Sequence, residues 1–102
     1  MLKNFRTYQI AVEFYRQVRT LKLSAHLKDQ LSRAAASAAL NTAEGAGRSS
    51  RADQARFFDI AYASIKEAQA VLDLAFDPNC VAAVTADRLA AHLFRLRQHC
   101  QR

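Results

Sequence analysis

The sequence predicts an all-α protein, an antiparallel up-down-up-down four-helix bundle, and three observations carry that expectation. Only two Gly and one Pro occur in 102 residues. A β-rich domain needs frequent turns, and turns draw on those residues. Hydrophobic residues make up 51% of the chain, which is the composition of a folded core and not of a disordered segment. Apolar residues then recur at helical spacing in four stretches, with abundant Ala, which loses no side-chain entropy in a helix. A chain of this length is one domain, residues 1–102.

The first helix is expected from about Asn4 or Thr7 to Leu21. Ile10, Phe14, Val18 and Leu21 share one face, while Arg6, Gln9, Glu13, Arg16 and Thr20 lie opposite. A break follows at Lys22 to Ser24, and the Ser24 hydroxyl is placed to cap the next helix. That second helix runs to about Glu44, with Leu27, Leu31, Ala34, Ala35, Ala38 and Thr42 inward. Its small side chains let a neighbouring helix approach closely, so the tightest contact of the bundle is expected here.

Gly45 and Gly47 read as the end of that helix, where Gly tolerates a left-handed backbone. Ser50, with Asp53 three residues on, opens the third helix, which continues to about Phe76. Phe57, Ala61, Ser64, Ala68, Val71 and Ala75 follow its inner path, supplemented by Phe58, Ile60, Ile65 and Leu72. Asp77-Pro78-Asn79 is the clearest turn signal. Thr85 is the expected cap of a fourth helix ending near Cys100, with Leu89, Leu93 and Leu96 on its apolar stripe. Short connections between four amphipathic helices imply antiparallel neighbours.

The pattern excludes several chemistries. Gly45-Ala46-Gly47-Arg48 lacks both the Lys-Ser/Thr of a phosphate loop and the strand and third Gly of a dinucleotide fingerprint. His92 and His99 stand seven apart, whereas metal-binding pairs on a helix stand three or four apart with a further ligand nearby. Glu44 and Glu67 are not followed by His three residues on, as di-iron bundles require. No nucleophile-base pairing emerges, so no catalytic residue, metal or cofactor is expected. Cys80 and Cys100 have no metal-ligand spacing, no secretory signal precedes them, and no apolar run reaches the roughly 20 residues of a membrane span. A reducing, cytoplasmic setting with two free thiols is the expectation.

Charge gives the positive indication. The net charge is +6, from 15 Lys and Arg against 9 Asp and Glu. That balance favours an anionic partner. Arg88, His92, Arg95, His99 and Arg102 recur at spacings of four, three, four and three, a basic stripe along one face of the fourth helix. Arg16, Arg19 and Lys22 form a second cluster near the end of the first helix, and Arg48, Arg51 and Arg56 a third at the start of the third. Such stripes track phosphates without reading sequence. The alternative is a solvated outer face whose helix-end charges complement the helix dipole.

The run from Gln30 to Arg48, QLSRAAASAALNTAEGAGR, resembles the hallmark of a bacterial four-helix-bundle family named for proteins encoded in intervening sequences of 23S rRNA genes. Family members resemble Q-L-x-R-A-A-x-S-x-x-x-N-x-A-E-G-x-G-R. The block Phe57 to Glu67, FFDIAYASIKE, is similar to the family's F-L-x-I-A-x-G-S-L-x-E, with Ala63 in place of its Gly and Ile65 in place of a Leu. The resemblance implies a bundle assembled into a ring of five subunits. Relatives include accessory proteins of diversity-generating retroelements, which bind nucleic acid and a reverse transcriptase. A partner of either kind, RNA or DNA, or a larger protein, is therefore the expectation, with no enzymatic activity.

The hallmark also has a physical reading. Arg33, Ser37, Asn41 and Glu44 share one face of the second helix, and Ser64 and Glu67 share one face of the third. Facing each other, they make a polar network near the Gly45 turn, setting register within the bundle or between subunits.

Overall fold

The computed structural model describes Leu2, residues 5–76 and residues 79–101. Among these residues the chain forms four helices and no strand: α1 (Arg6–Arg19), α2 (Ala25–Ala46), α3 (Arg51–Ala75) and α4 (Val81–Cys100). Asn4, one expected start of the first helix, and Asp77 and Pro78 of the expected turn lie outside the described residues.

The helix boundaries follow local chemistry. The Ser24 Oγ accepts from the Leu27 N–H at 3.4 Å, and the Ser50 Oγ accepts from the Asp53 N–H at 3.1 Å. Each serves an amide that the first turn of a helix leaves unpaired. At the C-terminus of α1, the Lys28 ammonium reaches across from α2 and donates to the carbonyls of Arg19 and Leu21.

Two expectations are corrected. Thr85 does not cap α4. The helix begins a turn earlier at Val81, and Thr85 is buried inside it, donating to the Val81 carbonyl at 3.1 Å. The glycines do not take a left-handed backbone either, since no Gly has positive φ. Gly45 lies inside the last turn of α2 and is needed for close approach. A Cβ there would stand 2.7 Å from Phe58 Cε1.

Cross-helix contacts fix the topology. Moving along α3 from Asp59 to Gln69 moves the partner back along α4 from Arg97 to Asp87. Ser64 meets Ser37, while Phe58, earlier in α3, meets Gly45, later in α2. Both pairs of helices are therefore antiparallel. Each helix packs on two neighbours, α1 on α2 and α4, α3 on α2 and α4, and the α2–α3 contact is the most extensive. This is the contact that the Ala-rich run predicted. The core is built from Ile10, Phe14, Val18, Leu31, Ile65, Leu89 and Leu93, all fully buried, with Ala34, Ala35, Ala38, Ala61, Ala68 and Ala86 filling the narrow spaces between axes. Ile60 and Phe57 are not part of it. Ile60 is exposed, and Phe57 lies half-buried under two guanidinium groups.

The ring order α1-α2-α3-α4 creates four outer faces. The face shared by α4 and α1 lies opposite the face shared by α2 and α3. No described helix is long and apolar enough to cross a membrane.

Candidate nucleic-acid interface

The α4/α1 face is built around His92. Its Nδ1 lies 3.3 Å from the Thr7 Oγ1, which ties the middle of α4 to the start of α1. Arg88, Arg95 and His99 stand four, three and seven residues away on the same side of α4, and all three are exposed. Neither Arg88 nor Arg95 makes an ion pair among the described residues. Arg6 on α1 donates to Gln9 at 3.4 Å and also lacks an acidic partner there. The field of this cluster registers on His92. Burial pushes its pKa below the ordinary 6.5, and the nearby charges of Arg95, Arg6 and Arg88 push it further. Each guanidinium disfavours a second positive charge. Arg102, the last residue of the expected stripe, lies outside the described residues.

The second cluster is also exposed. Arg16 and Arg19 lie on the last turn of α1 and Lys22 in the connection to α2, all without an ion pair among the described residues. Cations at this end of a helix are favoured by its dipole, so position alone accounts for part of the cluster.

The third cluster differs. Arg48 pairs with Glu44 at 2.8 Å, and Arg56 approaches Asp53 at 4.0 Å. Both guanidiniums also lie over the Phe57 ring, 4.7 and 4.5 Å from its centroid. Arg51 is exposed and carries no ion pair among the described residues. Two of these three cations are thus already partnered, which reduces what they offer to a phosphate.

Of the residues expected in a polar network, the structure brings together Ser37, Asn41 and Ser64. The Ser37 and Ser64 hydroxyls are 2.7 Å apart across α2 and α3. The Asn41 amide donates to the Ser37 carbonyl at 2.9 Å and to its hydroxyl at 3.2 Å. Arg33 and Glu44 turn instead to partners four residues away in sequence, Asp29 on α2 at 3.2 Å and Arg48 just past its end at 2.8 Å. Glu67 is exposed, with no hydrogen bond or ion pair among the described residues. The three charged members of the hallmark therefore stay on the surface of the single chain.

The strongest polar link between helices was not anticipated. Arg97 donates to Asp59 at 2.5 Å from α4 to α3 and lies 4.3 Å over the Tyr62 ring, itself 6.1 Å from Phe94. Gln69 donates to Asp87 at 2.8 Å further along the same seam. The sequence did hold a signal. Asp59, Tyr62, Lys66 and Gln69 stand three, four and three apart, and Asp87, Phe94 and Arg97 fit a matching line on α4. No group of three or more His, Cys, Asp or Glu side chains that could hold a metal forms among the described residues.

Comparison with known proteins places this geometry in a context. The sequence model of a family described as "23S rRNA-intervening sequence protein" matches residues 3–101. Neither the curated proteins nor the solved structures gave a significant match.

Proposed function

Because this chain belongs to the 23S rRNA-intervening sequence protein family, we propose that it is a non-catalytic, nucleic-acid-associated scaffold that works as an oligomer in the cytoplasm. The resemblance set out above favours a ring of five. The reading rests on one observation above the rest, the α4/α1 face, where Arg6, Arg88 and Arg95 surround His92 and no carboxylate pairs with them among the described residues. A cationic surface without internal partners binds phosphate at little cost in broken ion pairs. Contacts to phosphate carry no sequence information, so binding through these cations tolerates sequence and suits structured RNA or duplex DNA. Arg16, Arg19, Lys22 and Arg51 add exposed cations with no ion pair among the described residues, while Arg48 contributes less because Glu44 holds it. Five chains of +6 carry a formal +30 at neutral pH, a field strong enough to draw polyanions from a distance.

The test is a salt titration of binding. Fluorescence anisotropy with a labelled duplex should show affinity falling steeply as salt rises. The double variant Arg88→Gln and Arg95→Gln keeps good helix formers in place. It should weaken binding and flatten the slope of log affinity against log salt by roughly 0.9 per lost phosphate contact. Parent protein that binds neither duplex DNA nor structured RNA at low salt would falsify the reading, and leave a module that docks a larger protein, such as a reverse transcriptase, as the alternative.

A further inference from the structure

His92 is half-buried where α4 meets α1. Its Nδ1 lies 3.3 Å from the Thr7 Oγ1, so Nε2 is the ring nitrogen left for a ligand. Arg88 stands one turn before it on α4 and Arg95 one turn after, on the same side of the helix. Arg6 adjoins Thr7 in α1. A single imidazole is thus tied in place at the centre of three exposed guanidiniums that no carboxylate neutralises among the described residues.

The acids of the surrounding helices are engaged elsewhere. Glu13 of α1 accepts from Gln17 at 3.4 Å, and Asp87 of α4 accepts from Gln69 of α3 at 2.8 Å. On the α3 side of α4, Asp59 holds Arg97, and Lys66 lies 5.9 Å from the centre of the Tyr62 ring. The charges that act on His92 are Arg95, Arg6 and Arg88. Burial first, and then these three cations, hold the ring below its ordinary pKa of 6.5 and keep it neutral at pH 7.

We propose that His92 is the central phosphate ligand of this face, and that it takes up a proton when the phosphate backbone of a nucleic acid binds. A phosphate reverses the balance at the ring. Its negative charge offsets the guanidiniums and, within about 4–6 Å, favours the charged imidazole roughly tenfold or more. Both nitrogens of the imidazolium donate. Nδ1 donates to the Thr7 hydroxyl, and Nε2 donates to a phosphate oxygen in a charge-assisted hydrogen bond. Arg88 and Arg95 are long, exposed side chains, whereas the Thr7 contact holds His92 at one position, so it is the fixed donor around which they close. Proton and phosphate each favour the other, so affinity rises as pH falls. The inference rests on the nucleic-acid binding proposed above, and concerns which protonation state of that face binds.

Fluorescence anisotropy on the full chain tests it, with a labelled DNA duplex and a labelled RNA hairpin at one low salt concentration between pH 8 and pH 5.5. Phosphodiesters stay ionised over this range, so a change in affinity belongs to the protein. The parent should bind several-fold tighter at pH 5.5 than at pH 8, up to about tenfold for a single histidine. His92→Gln should still bind at pH 8 and lose most of that gain. His26→Gln, at an exposed position of α2, should keep it. Proton NMR of the imidazole rings needs no variant to fold: the His92 pKa should rise when the duplex is added. A parent that binds neither probe at either pH overturns the nucleic-acid reading and this inference with it. Equal affinity at both pH values, a gain that folded His92→Gln retains in full, or a His92 pKa that the duplex leaves unmoved overturns this inference alone.

Discussion

Replacing Gly45 by Ala tests how closely α2 and α3 must approach. A Cβ at this position would stand 2.7, 2.9 and 3.2 Å from Cε1, Cδ1 and Cζ of Phe58. Those are ring atoms of a nearly buried side chain, 3% exposed, whose ring packs 6.4 Å from that of Phe5. A ring cannot fold away as a flexible tip would. It must swing as a unit, or the two helices must part. Overpacking of this kind costs about 1–3 kcal/mol. The groove lined by Phe5, Gln54, Leu96 and Cys100 gives the ring some room, which favours the lower half of that range. Ala also gains on Gly in helix propensity, by about 0.5–1 kcal/mol, less near a helix end. The net loss is therefore about 1 kcal/mol, or a Tm lower by roughly 4–8 °C for a domain of this size. Thermal unfolding should be followed at one fixed protein concentration, because association shifts Tm. Gly47→Ala is the control, since its Cβ would meet nothing nearer than the Glu44 carbonyl at 3.6 Å. Phe58→Leu in the Gly45→Ala background should recover part of the loss, with a coupling above about 0.5 kcal/mol between the two sites. A Gly45→Ala protein more stable than the parent, with no coupling to position 58, would show that the close approach is not a packing constraint.

Two further outcomes are expected. His92 has a folded pKa below the ordinary 6.5, so the unfolded chain takes up its proton first as pH falls. Stability contributed by neutral His92 is complete above pH 6.5, declines as pH drops through that value and levels off below the folded pKa. Urea unfolding between pH 8 and pH 5 should show the decline, and His92→Gln should reduce it; an unchanged pH slope in that variant would remove His92 as the cause. Asp59→Asn should cost about 1 kcal/mol, because the Arg97 guanidinium it holds is only partly solvated and also covers Tyr62. Urea midpoints of Asp59→Asn, Arg97→Gln and the double variant check this, and additive losses would mean the pair does not act as a unit.

Much of the fold was legible because helices announce themselves locally. The serines at 24 and 50 sit where a cap must sit, and the buried stripes of α1 and α2 follow the 3.6-residue period. Thr85 misled because a hydroxyl can satisfy its own helix as well as open one, and here it bonds the Val81 carbonyl four residues back. Gly45 misled for a related reason. A glycine just before an expected helix end has two uses, a left-handed turn or a missing Cβ, and only the neighbour across the interface decides. Ile60 and Phe57 fall on the edge of the α3 stripe, where periodicity leaves inward and outward ambiguous. What the sequence could not give was partner choice among charges. Arg33 and Glu44 each had an oppositely charged residue four positions away, Asp29 and Arg48, and that local pair wins over a cross-helix one because sequence already holds it close.

The functional reading follows from how the chain distributes charge over its helices before any contact is considered. Between Arg6 and Arg19, α1 carries three Arg against Glu13, and α4 carries Arg88, Arg95 and Arg97 against Asp87. In α2, Lys28 and Arg33 balance Asp29 and Glu44, and in α3 the four acids Asp53, Asp59, Glu67 and Asp73 outnumber Arg51, Arg56 and Lys66. An up-down bundle makes neighbours of consecutive helices and closes α4 onto α1. The two cationic helices, first and last in sequence, are thereby joined into one face, and the balanced α2 and slightly acidic α3 into the face opposite. Had the cationic helices been first and third, the ring would have separated them and diluted the field. The bundle topology therefore converts a pattern along the chain into two surfaces of different charge. Arg97 tests the logic from within, because its neighbour across the seam is α3, where Asp59 holds it. It follows that the free cations of α4 are the ones on its α1 side.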